Sequence, residues 1–126
     1  MNAFAQTFAV TAALMHLWIF TMESLRFARP RVHAMFDVRT ADLAAVRPWA
    51  FHQGCYNAIL AIQTLVGLAV VHLGDASAGW ALVLGACASM LAASVALIAF
   101  DPRRSRVRGL IGQGAPALAT LTAALL

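Results

Sequence analysis

The chain has no lysine, only two cysteines, one tyrosine and five acidic side chains. Charged residues make up 11% of it, far from the roughly 25% of an ordinary soluble domain. So little charge cannot cover the surface of a water-soluble fold, and 62% hydrophobic content points to a membrane protein. Two cysteines without a CxxC pattern give thiol redox chemistry little support. Cys55 and Cys87 lie in different apolar runs at different depths, which makes them poor disulfide partners and small packing residues instead.

What the 126 residues do contain is four apolar runs, at about 3–25, 49–73, 79–100 and 109–126. Each approaches the roughly 20 residues that cross a hydrocarbon core. Together they predict one all-α domain over 1–126, an integral membrane four-helix bundle. The first run is not a convincing signal peptide, because no Arg precedes it and the positive charge follows it, so it is expected to remain as a span.

All nine basic residues are arginines, and they fall in two places. Arg26, Arg29, Arg31, Arg39 and Arg47 separate the first two runs, and Arg103, Arg104, Arg106 and Arg108 separate the last two. The connection at Gly74–Gly79 has none. By the positive-inside rule the Arg-rich connections are cytoplasmic and both termini lie outside. Charge placed this way sets topology and meets lipid headgroups, and it argues against a nucleic-acid partner. In the first long connection, Thr40 followed by Ala-Asp-Leu-Ala-Ala-Val reads as a short, capped interfacial helix ending before Pro48. His33 in that connection is expected to be solvated, and His72 to lie at the far interface.

The polar residues inside the runs carry the functional signal, since lipid cannot satisfy them. His16 and Glu23 are seven apart on one face of the first helix. Gln53 and Asn57 are four apart on the second, with Leu60, Thr64 and Gly67 extending the ridge and His52, Tyr56 and Gln63 beside it. The third run has Gly85 and Ser89 as a small-xxx-small pair suited to close helix packing, within the bundle or between two copies of the chain. In the fourth, Pro116 deprives the Gly112 carbonyl of its helical donor, and Gln113, Pro116, Ala117 and Thr120 share a face. Counting at 1.5 Å per residue puts Glu23, His52, Gln53 and Gln113 about 3–6 Å inside the cytoplasmic boundary, with Asn57 and His16 about 12–13 Å inside. A polar pocket in the cytoplasmic leaflet follows.

His16-Leu-Trp-Ile-Phe-Thr-Met-Glu23, Gln53-Gly-Cys-Tyr-Asn57 and Gln113-Gly-Ala-Pro-Ala117, in this order, resemble the bacterial membrane-protein family known as domain of unknown function 1304. The resemblance covers nearly the whole chain and implies a small four-helix protein of the bacterial inner membrane, with these polar positions as its signature. It implies no activity. From the residues, the pocket is expected to bind a small or lipid-like molecule through His52, Gln53, Tyr56, Asn57 and Gln113. Glu23 and His16 are the candidates for proton-transfer catalysis, which leaves open whether the protein is an enzyme. An oligomeric proton-coupled transporter and a structural or assembly role are the alternatives. No cofactor is predicted: zinc or haem would need His16, Glu23 and His52 to converge across about 8 Å of depth.

Overall fold

The computed structural model describes residues 2–126. Its helices are α1 (Ala3–Phe20), α2 (Pro30–Met35), α3 (Leu43–His72), α4 (Ala76–Phe100) and α5 (Arg104–Ala123), and no strand occurs among the described residues. The segments Ala3–Leu25, Thr40–His72 and Ala76–Phe100 are long and apolar enough to cross a membrane. The last helix is different because Arg104, Arg106 and Arg108 occupy its first turns.

Each long helix packs on two others: α3 on α1 and α4, and α5 on α4 and α1. The core between them is built from small or flexible side chains, including Ala9 and Ala12, Val83, Cys87 and Met90, and Ala117. Small residues let helix backbones approach, which is where van der Waals contact between apolar helices is gained. The tightest approach is at Gly67 and Gly79, where a methyl group on Gly79 would lie 2.5 Å from the amide nitrogen of Val71 and 2.6 Å from the Gly67 carbonyl oxygen. Gly85 and Ser89 face outward instead, so they take no part in this contact. At the other end of α1, Asn2 donates to the Ala123 carbonyl (2.7 Å) and His72 bonds Gln6 (2.9 Å). The two ends of the chain therefore meet at the end of the molecule opposite the Arg-rich connections.

The first long connection differs from its expectation. No separate helix ends before Pro48: Thr40–Asp42 forms one 3₁₀ turn that runs directly into α3, which starts six residues before the expected position 49. Pro48 is accommodated because the carbonyl it deprives, on Ala44, belongs to an exposed residue. Thr40 does not cap, since its hydroxyl pairs with Nε2 of His33 (3.1 Å). His33 itself is only 1% exposed, not solvated, and its Nδ1 donates to the Phe27 carbonyl (3.1 Å). The ring thus ties the end of α1 to the start of α3, with Phe27 packed against both His33 and Phe36. The short helix in this connection is α2, which opens on Pro30, where the missing N–H costs nothing.

A second tie closes the Arg-rich end. Ser105 donates to Asp37 (2.5 Å), and Arg106 reaches Asp101 (3.3 Å) and the Phe36 carbonyl (3.4 Å). Asp37 has φ 59°, which turns the chain towards α5. Hydrogen bonding from Arg103, joined by Arg106, holds the Asp101 carboxyl below the usual carboxylate range. A carboxyl depressed in this way stabilises the turn at all pH values above about 4, the ordinary aspartate value, and that contribution fades as pH falls below it. A spin label on exposed Val107 is expected to stay ordered down to about pH 4 and loosen below it, whereas Asp101→Asn should show the loosened spectrum at neutral pH.

Candidate functional site

The feature that positions the site is a change of helix type. At Thr21 the α1 backbone widens into a π-helical turn through Leu25, which carries Glu23. Such turns sit disproportionately at functional sites because the extra residue re-aims side chains. Across from it, Gly54 lets α3 approach so closely that a methyl group there would collide with Ser24 Oγ and lie 3.1 Å from Glu23 Cβ. Ser24 uses this proximity to donate to the Phe51 carbonyl (2.9 Å).

The approach brings Asn57 against Glu23. Asn57 Nδ2 donates to Glu23 Oε2 (2.8 Å) and shares a longer contact with the Gln53 carbonyl (3.2 Å). The two residues are therefore level, although the count from the ends of the apolar runs separated them by several ångströms. The reason is the early start of α3, which carries its first turns past the end of α1 and shifts the depth of every residue on it.

Glu23, Gln53, Asn57 and Gln113 line one cavity of about 720 Å³, joined by Arg106 and Arg108. That volume lies within the range of about 300–1,000 Å³ usual for small-molecule sites. Most of its remaining wall is apolar, including Met15, Trp18 and Ile19 on α1 and Ala93 and Leu97 on α4, with Ser105 a polar exception. Gly112 also borders it, and the carbonyl that Pro116 leaves without a helical donor is an extra acceptor at that place. Arg106 and Arg108 were missed as site residues because a charge between two apolar runs reads as a topology signal. Residues two apart on a helix point to nearly opposite sides, so their spacing offered no clue, and only the packing of α5 against α1 and α4 brings both to the cavity.

The other candidate residues stand elsewhere. His52 and Tyr56 are exposed on the outside of α3 and pack edge-on against each other with ring centres 4.9 Å apart. They occupy the ridge next to Gln53 and Asn57, and one residue of helix turns a side chain by about 100°. His16 is buried, 1% exposed, about 10 Å along α1 from Glu23, and its Nδ1 donates to the Ala12 carbonyl (2.9 Å). That bond assigns the proton to Nδ1 and leaves Nε2 as the acceptor of the neutral ring. Cys55 and Cys87 are both free thiols. Among the described residues no three His, Cys, Asp or Glu side chains group as metal ligands.

A family model described as "Protein of unknown function (DUF1304)" matches residues 10–125. The chain belongs to that family. No curated protein and no solved structure matches the chain. In this DUF1304 chain the polar positions of the three sequence motifs divide by location. Glu23, Gln53, Asn57 and Gln113 meet at the cavity, while His16 stands behind its wall among the packed helices.

Proposed function

We propose that the protein is a multi-pass component of a bacterial cytoplasmic membrane, a four-helix bundle of α1, α3, α4 and α5 with both termini outside. The cavity then lies in the cytoplasmic leaflet, where it binds a small or lipid-like molecule. For α5, the apolar stretch from Gly109 to Ala123 is short for a span, and the arginines before it can snorkel to the headgroups. The single observation that carries the binding reading is the Asn57–Glu23 pair set in the wall of a cavity whose α1 and α4 sides are otherwise apolar. An ionisable side chain at membrane depth is costly unless it faces a partner or a functional cavity. Glu23 is the cavity's carboxyl group and the one that would exchange a proton with a bound molecule. His16, away from the cavity wall, is better suited to fixing helix packing.

Native mass spectrometry in mild detergent tests this reading. Wild type and His52→Ala are expected to retain the same bound molecule, and Asn57→Ala to lose it. Equally empty protein in all three would contradict ligand binding. An oligomeric transporter or assembly protein is the second reading, favoured by the outward-facing Gly85 and Ser89 on α4. It would show in the same spectra as a dimer or larger species disrupted by Gly85→Leu.

A further inference from the structure

The cavity is layered, and the layers specify a class of ligand. At its Arg-rich end it is lined by Arg106 and Arg108, in the first turns of α5. Arg106 is shared between Asp101 and Asp37, but among the described residues no carboxylate lies within ion-pair distance of Arg108. Next come the neutral amides Gln53, Asn57 and Gln113 with Glu23. Glu23 Oε2 is held by Asn57, which leaves Oε1 to accept a further hydrogen bond. Beyond them the wall is apolar at Met15, Trp18 and Ile19.

The apolar layer continues. A second depression of about 450 Å³ is lined by Thr11, Leu14, Met15 and Trp18, so it shares Met15 and Trp18 with the cavity. The Thr11 hydroxyl donates back to the Thr7 carbonyl (2.9 Å), which leaves this track without a free hydroxyl donor from Thr11. From Glu23 to Thr11 the path runs about 18 Å along α1. It follows the outside of one helix, which suits a single chain.

We infer that the occupant is a single-chain amphiphile with a phosphate head and a free hydroxyl between head and chain. The phosphate pairs with Arg108 and Arg106, the hydroxyl donates to Glu23 Oε1, and the acyl chain lies along Met15 and Trp18 into the depression. A simple fatty acid fits less well, because its carboxylate follows the chain directly and would meet Glu23 before any arginine. A two-chain phospholipid has the hydroxyl esterified, so it offers Glu23 no donor. This inference rests on the binding reading above and adds the ligand's class to it.

The test uses Trp18 as the reporter in full-length protein carrying Trp49→Phe and Trp80→Phe. Monoacylglycerol phosphate brominated in mid-chain is titrated in detergent. Saturable quenching at one ligand per protein is expected, with at least tenfold weaker binding of the brominated monoacylglycerol that lacks phosphate and of the brominated diacyl phosphatidic acid. Arg108→Ala should weaken binding of the phosphate-bearing probe at least tenfold, Arg108→Lys less, and neither should alter binding of the probe without phosphate. Arg108 is exposed, so these variants do not threaten the fold. Glycerol phosphate alone should fail to compete. Non-saturable quenching, equal binding of the diacyl lipid, indifference to Arg108 or full competition by glycerol phosphate would each overturn the inference. If a different molecule is nonetheless retained in an Asn57-dependent way by mass spectrometry, the binding reading stands without this ligand class.

Discussion

Gly79→Ala is expected to destabilise the protein by about 1–3 kcal/mol, the usual cost of overpacking, although the same substitution in a helix ordinarily gains up to about 1 kcal/mol. The sign is decided by what the new methyl group meets. At Gly79 it meets backbone, the Val71 amide nitrogen and the Gly67 carbonyl oxygen, and neither can rotate away. The α3 and α4 helices would have to separate along the seam that holds Val83 and Leu68 in the core. Gly85 is the control on the same helix. The nearest atom to a methyl group there is Gln63 Nε2 at 3.7 Å, an ordinary van der Waals distance, so Gly85→Ala should be neutral or stabilising. Unfolding of the two variants in mixed detergent micelles would measure the difference, and equal stabilities would remove the close contact from the account.

Asn57→Leu carries the second large effect. The change deletes the donor to Glu23 while keeping the branched shape of the side chain, leaving the carboxyl group without its partner among the described residues. Losing a hydrogen bond to a charged group costs about 1.5–3 kcal/mol. Glu23→Gln keeps an acceptor oxygen facing Asn57 and should cost less. Combined as a double-mutant cycle, Glu23→Gln and Asn57→Leu should be coupled by about 0.5–3 kcal/mol, as expected for residues in contact. Strictly additive losses would mean that the two groups do not meet. Each variant is also expected to weaken retention of the bound molecule, Asn57→Leu the more severely.

The helices and most of the site's polar residues were legible in the sequence, because long apolar runs and isolated polar groups within them have few physical solutions in lipid. Gln53, Asn57, Glu23 and Gln113 are readable in that way, and they meet at one cavity. Three features were not. The start of α3 at Leu43 was hidden by Pro48, which normally marks a boundary; here Leu-Ala-Ala-Val-Arg favours helix and the carbonyl freed by the proline is exposed. That error displaced Asn57 in depth and separated it from its partner. The burial of His33 depends on Phe27 and Thr40 arriving together from either side of α2, a tertiary event with no local periodicity. The inclusion of His52 and Tyr56 came from expecting protein to meet every polar group of the segment, whereas the close approach at Gly54 decides which ridge turns inward.

The cavity lies at the Arg-rich end of the molecule, which the proposed topology puts on the cytoplasmic side. The most direct measurement of this central claim is labelling of Gln113→Cys by a membrane-impermeant maleimide in a Cys55→Ser background, with Cys87 left buried. Vesicles of both orientations are compared, and exposed Val107→Cys serves as the reference for free access. Rapid modification of both positions in inside-out vesicles, with protection in right-side-out vesicles, is the predicted result. Resistance of Gln113→Cys from both sides, or modification from the outer face alone, would contradict the account.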